Sequence, residues 1–147
     1  MQDYFFMWLY NDKEFDETPE EYQGFVYIIT DLTNNKKYLG KKFFWKPKTL
    51  PKTKTRKRRV KTRVESDWRT YYGSSKEVQE LVENNGVESF KREILRLCKT
   101  KGECSYFEAK YQFDLDVLLR DDFYNGIISC RIHKNHVKEI KNEYERV

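Results

Sequence analysis

The sequence predicts a single α/β domain, more closely α+β, with a small, mostly antiparallel three-stranded sheet flanked by helices. Three observations support this class. The 147 residues are enough for one domain and too few for two. Aromatic residues make up 16% of the chain, which indicates a packed core and not a disordered segment. Strand-like and helix-like segments follow one another in the order hairpin, helix, helix, strand, helix and turn.

The first elements lie in the N-terminal third of the chain. Residues 4–10 are apolar and aromatic, and predict a short strand or one turn of helix. Residues 24–30 are β-branched and aromatic, residues 31–35 carry turn residues, and residues 36–40 resume the strand pattern. Together these segments predict a β-hairpin.

The remaining elements follow a basic segment and are mainly helical. Ser66 or Asp67 can cap a short helix, and Asn85-Gly86 is a typical helix end. The predicted elements are a short helix over 66–72, a helix from 75 to about 85, a strand over 90–98, a helix over 102–119, a short strand or extended segment over 127–130, and an exposed helix over 134–146.

These elements predict three regions. Residues 1–23 form an aromatic and acidic N-terminal extension, residues 24–130 form the domain, and residues 131–147 form a charged, helical C-terminal tail. Residues 41–63 are a basic insertion within the domain. Pro47, Pro51 and the lysines and threonines near them predict a flexible loop without regular structure from 46 to about 56.

The net charge of +5 hides a strong asymmetry. Residues 41–63 contain twelve basic and no acidic residues, which leaves 17 bases against 24 acids, a net charge of −7, elsewhere in the chain. A basic arm on an acidic body is typical of proteins that bind a polyanion. A solvated loop or a localisation-like tract is the alternative. The residues expected to contact DNA are Lys41, Lys42, Lys46, Arg56, Lys57, Arg58, Lys61 and Arg69.

Several classes of protein are disfavoured by the sequence. No apolar run reaches the ~18–20 residues that a membrane span needs, and the N-terminus does not resemble a signal peptide. We therefore expect residence inside a cell. Cys98, Cys104 and Cys130 match no zinc signature and are expected to be reduced thiols. Glycine-rich phosphate loops, serine nucleophile elbows and metalloprotease motifs are absent.

The tyrosines of the predicted hairpin bring the sequence close to a known family. Residues 26–28 (Val-Tyr-Ile) and 38–40 (Tyr-Leu-Gly) resemble the paired motif of the GIY-YIG nuclease superfamily. Downstream, the Gly-Ser-Ser at 73–75, Glu108 and Asn125 occur in the order found in phage endonucleases of this superfamily. The resemblance covers about residues 24–130 and is greatest to free-standing homing-type enzymes.

The resemblance implies roles for four residues. Tyr27, as a phenolate or through a water, would be the general base, and its pKa would be lowered by nearby cations such as Lys41. Tyr38 would orient the water or the phosphate. Glu108 would hold one Mg²⁺, or alternatively Mn²⁺. Asn125 would steady the local turn and the site.

The resemblance also implies an arginine that clamps the phosphate, because a guanidinium offers a bidentate fork. The basic insertion leaves several candidates for this residue. Arg63 is favoured and Arg59 comes second, while Arg58 and Arg69 also compete.

The sequence therefore predicts a metal-dependent endonuclease that hydrolyses phosphodiester bonds in double-stranded DNA, as a phage homing-type or DNA-interference nuclease in the cytoplasm of a bacterial host. No membrane partner is expected. Specificity would come from the arm, the termini or a homodimer on DNA. The main alternative is a non-catalytic nucleic-acid-binding protein of the same fold. A weaker one is a protein–protein adaptor that uses the acidic body.

Overall fold

The predicted hairpin forms one side of the main sheet. In the computed structural model, which describes residues 7–145, strand β3 spans Gly24–Asp31 and strand β4 spans Lys36–Phe43. The two strands pair antiparallel, with Tyr27 opposite Gly40 and Ile29 opposite Tyr38. Since partners in an antiparallel ladder share a face of the sheet, both motif tyrosines lie on the same face.

The main sheet is larger than the sequence predicts. Among the described residues it has five strands, not three, in the order β2-β1-β7-β3-β4. The added strands β1 (Trp8–Tyr10) and β2 (Lys13–Phe15) form a short hairpin, and the predicted strand near residue 90 is β7 (Phe90–Cys98). β1 runs parallel to β7, while the other neighbours are antiparallel.

The short N-terminal hairpin had a signal that the sequence analysis did not use. Asn11 and Asp12 connect β1 and β2, and both have positive φ, at 52° and 64°. Asparagine and aspartate favour the left-handed turns that join two-residue hairpins. The predicted N-terminal element at residues 4–10 is thus a strand over its last three residues, and its first three lie outside the described part of the chain.

The basic segment forms a second hairpin, contrary to the predicted flexible loop. Strand β5 (Trp45–Leu50) pairs with strand β6 (Val60–Glu65), with Pro47 opposite Arg63. Proline is tolerated here because a two-stranded ribbon has only edge strands, which leave backbone groups unpaired anyway. Irregular structure is confined to the connection between these strands.

Three helices accompany the two sheets within residues 7–145. α1 spans Lys76–Asn85, α2 spans Lys101–Asp114 and α3 spans Lys138–Glu145. α2 stops before the predicted residue 119, because the backbone turns to a positive φ of 53° at Asp116. Residues 127–130 form no strand, and only Trp68–Thr70 of the predicted short helix are helical, as a 3-10 turn. None of these helices combines the length and apolar character that crossing a bilayer requires.

The main sheet has a core on each face. The first contains Trp8, Phe25, Tyr27, Phe44 and Trp68, and the half-buried apolar residues of α1 pack against it. The second contains Val26, Leu39, Cys104, Phe107 and Ile140, and so lies beneath α2 and α3. Alternation along β3 and β4 therefore sends successive side chains to different cores.

The outer edge of β4 is covered by the segment that follows α2. Lys37 N–H donates to the Asp122 carbonyl at 2.8 Å, and its carbonyl accepts from Tyr124 N–H at 2.7 Å. Further along, Leu39 is bonded by the side chain of Asn125. Covering an edge in this way satisfies backbone groups that would otherwise be free to pair with another chain.

Candidate active site

Tyr27 lies at the centre of a group of aromatic rings on the first face of the sheet. It is fully buried, and its ring centroid is 5.3 Å from Trp8, 6.0 Å from Tyr71 and 6.4 Å from Tyr38. The ring lies across Gly40 of the neighbouring strand, where a Cβ atom would come within 2.5 Å of the Tyr27 hydroxyl oxygen. Glycine at position 40 is therefore required by the position of this ring.

The neighbouring hydroxyls form a polar cluster around that of Tyr27. Tyr38 Oη is 3.1 Å from Ser74 Oγ, and either group can be the donor. Gly73, just before Ser74, has a φ of +93°, and a Cβ there would lie 3.5 Å from the Tyr27 hydroxyl and 3.4 Å from the Tyr38 ring. The Gly-Ser-Ser segment thus brings a polar loop against both motif tyrosines.

The Tyr27 hydroxyl is buried and has no hydrogen bond of acceptable geometry among the described residues. Burial raises its pKa well above the ordinary value, and the hydroxyls of Tyr71 and Tyr38 and the charge of Glu108 add to the effect. The sequence implied the opposite direction, a pKa lowered by lysine and arginine. That expectation was wrong, because burial and the neighbouring hydroxyls and carboxylate all raise the pKa of Tyr27.

Tyr71 was not singled out from the sequence, although it completes this cluster. Burial raises its pKa, while interactions with the hydroxyls of Tyr27 and Ser74 oppose the shift. Lys42 Nζ lies 4.1 Å from the centre of the Tyr71 ring and 2.7 Å from Asp67 Oδ1. This ion pair lowers the pKa of Asp67. The only hint in the sequence was the pair of adjacent tyrosines at 71–72.

Glu108 projects from α2 toward the second face of β4. Its side chain is 15% exposed, and its Oε1 atom is 3.1 Å from Lys41 Nζ. The structure thus places Glu108 beside the strand that carries Tyr38, and the negative charge of Glu108 contributes to the raised pKa of Tyr27. Among the side chains that the structure describes, no group of three or more histidine, cysteine or acidic residues could hold a metal ion.

Asn125 binds the β4 backbone next to Tyr38 and Gly40. Its Oδ1 atom accepts from Leu39 N–H at 2.9 Å, and its Nδ2 group donates to the Leu39 carbonyl at 2.8 Å. Gln112 Nε2 donates to the same carbonyl at 3.2 Å. Asn125 therefore positions the strand of the second motif tyrosine.

The arginines expected to clamp the phosphate lie away from the tyrosine cluster. Arg63 stacks over Trp45, with its guanidinium carbon 3.9 Å from the ring centre, and donates to the Glu20 carbonyl at 3.0 Å. Arg59 is exposed in the connection between β5 and β6, as is Arg58. Arg69 lies over Trp68 and bonds to Asp16 and Glu65.

The residues expected to bind DNA therefore divide into two groups. Lys41 and Lys42 lie beside the site, in the ion pairs described above. The others lie on or near the basic hairpin and are exposed, apart from Arg56, which is half-buried and folds back onto the Pro51 carbonyl at 2.7 Å; they are Lys46, Arg56, Lys57, Arg58 and Lys61, with Arg69 just beyond.

A buried arginine that the sequence analysis missed supports the tyrosine cluster. Arg92 on β7 is 1% exposed, and its Nη1 atom donates to the carbonyls of Arg69 at 2.9 Å and Tyr71 at 2.8 Å. Its guanidinium also lies over the rings of Trp8 and Tyr72. Burial lowers its pKa to about 10. Arg92 thus holds the segment that carries Tyr71, and in the sequence it resembles any charged residue of a strand.

Comparison with known proteins gives one match. A family model described as "Putative endonuclease segE, GIY-YIG domain" matches residues 8–128, well over half of the chain. No curated protein and no solved structure matches the chain significantly. The matched range begins at β1 and includes both tyrosines of the hairpin, Glu108 and Asn125.

Proposed function

The chain belongs to this GIY-YIG endonuclease family, and we propose that it is a metal-dependent enzyme that hydrolyses phosphodiester bonds in double-stranded DNA. The observation that carries the proposal is the buried, unpartnered hydroxyl of Tyr27 within a cluster of other hydroxyls. Buried polar groups without partners are rare in folded proteins and call for an explanation. The explanation that we propose is that this hydroxyl belongs to a site that receives a water and a phosphate.

The proposed chemistry begins with the neutral form of Tyr27. Its oxygen can accept a proton from the attacking water if its own proton passes to the neighbouring hydroxyl of Tyr71, and from there by way of Ser74 to solvent. The water oxygen then bonds to phosphorus, the bond to the 3′ oxygen breaks, and that oxygen takes a proton from solvent. Such positioned proton transfer contributes about 10²- to 10⁴-fold to rate.

The proposed magnesium ion would be held by Glu108, in the way that proteins share this ion with phosphate substrates. Mg²⁺ is usually held by one or two carboxylates together with substrate phosphates and water. Glu108 supplies one partly exposed carboxylate, whose cationic partner in this structure is the ammonium group of Lys41, 3.1 Å away. A bound Mg²⁺ would relieve charge on the phosphoryl oxygens during the reaction.

The basic hairpin supports DNA as the substrate. It begins directly after β4, so that its lysines and arginines extend from the strand that carries Tyr38. Positive charge in this position attracts the phosphate backbone without regard to sequence. Arg63 and Arg59 remain the predicted phosphate-clamping residues, which would require Arg63 to leave Trp45 and Glu20 on binding.

A plasmid-cleavage assay tests the proposal. We expect wild type to cut supercoiled plasmid with Mg²⁺ and not with a chelator, and Tyr27→Phe and Glu108→Gln to cut at least about 100-fold more slowly. The matched controls are Tyr106→Phe, on α2 and outside the tyrosine cluster, and Glu80→Gln, on the exposed side of α1. Tyr27→Phe removes a buried hydroxyl that makes no hydrogen bond of good geometry among the described residues and whose neighbour is the Tyr71 hydroxyl, so it should change the stability of the fold little.

The non-catalytic alternative predicts a different result. A protein that only binds nucleic acid would show salt-sensitive binding that survives both substitutions and needs no metal. Absence of cutting by wild type over a broad range of DNA and metal, or full activity of Glu108→Gln, would refute the enzymatic proposal. From the sequence resemblance we further propose a free-standing phage homing-type or DNA-interference role in the bacterial cytoplasm, whereas a homodimer on DNA stays a prediction.

A further inference from the structure

A cavity of about 280 Å³ lies between the end of β4, the start of β5 and the first residue of α2. Its lining combines apolar walls, provided by Phe43, Trp45 and Pro47, with four lysines, the Ser66 hydroxyl and the Asp67 carboxylate. These lysines come from three elements, and they are Lys41, Lys42, Lys46 and Lys101. We refer to this cavity as the lysine groove.

Four lysines and one carboxylate, that of Asp67, give the groove an excess of positive charge. Lys41 and Lys42 are paired with Glu108 and Asp67. Among the side chains that the structure describes, neither Lys46 nor Lys101 forms an ion pair, although the charge of Lys46 helps to lower the pKa of Asp67, and Lys101 Nζ lies 5.6 Å from the centre of the Phe43 ring. Lysine charges gathered at one cavity repel one another, so an anion that binds among them relieves that repulsion.

The groove adjoins both parts of the candidate active site. Lys42, in its wall, lies over Tyr71, the ring next to Tyr27. Lys41, also in its wall, bonds to Glu108. The groove is therefore positioned to take a phosphate near the scissile one on a strand that reaches this site from the basic hairpin.

The groove differs from the rest of the basic surface in that its lysines stand beside apolar side chains in an open cleft. The basic residues near the hairpin connection, such as Lys57 and Arg59, are exposed. Such residues attract DNA without fixing its position, whereas an anion between apolar walls and two elements of the fold is held in one place. Lys101 also lies far along the chain from the basic segment, so that composition alone gives it no role.

We propose that the lysine groove binds one backbone phosphate of the DNA, adjacent to the scissile phosphate, through Lys46 and Lys101. The proposal rests on the proposed function, since it takes DNA as the ligand. It assigns to Lys101 a direct phosphate contact, and it assigns to both lysines one shared phosphate.

Binding without cleavage tests the groove separately from the catalytic proposal. Anisotropy of a labelled duplex is measured in chelator across a range of salt concentrations, for wild type, Lys46→Gln, Lys101→Gln and the double variant. Glutamine removes the charge and leaves a polar side chain one atom shorter, and both positions are exposed, so the fold should persist. Lys99→Gln is the matched control, because it is exposed two residues away and lines a different cavity.

The expected result follows from counterion release. The logarithm of the binding constant falls with the logarithm of salt by about 0.9 for each phosphate neutralised. Because the two lysines share one phosphate, the double variant should lower this slope by about one and not two, and Lys99→Gln should leave it unchanged. An unchanged slope in the double variant, or a loss of about two, overturns the proposal.

The position of the phosphate is tested with duplexes that carry one neutral methylphosphonate at successive sites. Wild type should bind more weakly when the phosphate next to its mapped cut is neutral, and the double variant should be insensitive at that position. Insensitivity of the double variant at some other position, or at none, refutes the assignment. If wild type binds as expected but never cuts, the proposed function fails while the slope measurement still decides whether the two lysines share a phosphate.

Discussion

Asn125 is expected to be the main side-chain support of β4, and replacing it with alanine should have a large effect. The substitution removes the 2.9 Å bond to Leu39 N–H and the 2.8 Å bond to the Leu39 carbonyl. The carbonyl keeps its 3.2 Å bond from Gln112, but the N–H loses its partner. A lost hydrogen bond costs about 1 kcal/mol and a buried unsatisfied group about 1–3 kcal/mol, so we expect a loss of about 2–4 kcal/mol.

Urea denaturation measures this loss. With a slope of about 2 kcal/mol/M, in the middle of the range for a small protein, the midpoint should fall by about 1–2 M. Gln112→Ala is the internal control, because it removes one of two bonds to the Leu39 carbonyl and should cost only about 1 kcal/mol. Asn125→Asp should be at least as harmful as alanine, since a carboxylate oxygen would face the Leu39 carbonyl oxygen.

The relative losses of stability in these three variants test whether Asn125 supports β4. If Asn125→Ala is no more destabilising than Gln112→Ala, or if Asn125→Asp matches wild type, Asn125 does not support the strand in the way described. A second measurement follows from position: Leu39 lies between Tyr38 and Gly40, so DNA cleavage by Asn125→Ala should fall even at temperatures where the variant is still folded.

Three further predictions concern the tyrosine cluster. Gly40→Ala should lower the free energy of unfolding by about 1–3 kcal/mol and should slow cleavage, because the new Cβ would lie 2.5 Å from the Tyr27 hydroxyl oxygen. The control is Gly126→Ala, whose Cβ would have no atom within 4 Å, and it should match wild type in melting temperature and activity. Tyr27 should make the free energy of unfolding fall as the pH rises above about 10, because its pKa is higher in the folded than in the unfolded chain, so the unfolded chain loses the proton first. Urea midpoints measured from about pH 9 to 11 should therefore fall less steeply for Tyr27→Phe than for wild type. Equal slopes for the two proteins would contradict a raised pKa of Tyr27. Arg92→Met should destabilise by about 2–4 kcal/mol by leaving the carbonyls of Arg69 and Tyr71 without this donor, and a variant that melts like wild type would show that Arg92 is not needed there.

Local sequence signals predicted the elements whose pattern is strong. The β3–β4 hairpin, α1 and β7 were confirmed because strand-like runs and a typical helix end each act over a few neighbouring residues. Family resemblance supplied Glu108 and Asn125, which no periodicity distinguishes. The structure brings Asn125 to β4 and Glu108 beside it.

Features that depend on distant partners were missed. The basic segment was expected to be irregular, but pairing between β5 and β6 outweighs the low strand propensity of its prolines and lysines. Burial of Arg92 depends on Trp8 and Tyr72, which are far apart along the chain. The direction of the Tyr27 pKa shift depends on how deeply the ring is buried, and sequence proximity to lysine does not reveal this.

Because side chains alternate between the two faces of β4, the site should respond differently to insertions of odd and of even numbers of residues in that strand. Lys41 faces α2 and binds Glu108, while Lys42 faces the tyrosines and binds Asp67. Side chains of a strand point to alternate faces of the sheet. Inserting one residue between Tyr38 and Lys41 would therefore move each lysine to the opposite face and break both ion pairs at once. Inserting two residues would shift both lysines along the strand but return each to its own face. Length changes in this strand should therefore be tolerated in even steps more readily than in odd ones, which offers a way to vary the distance between the tyrosines and the basic hairpin without disconnecting the two halves of the site.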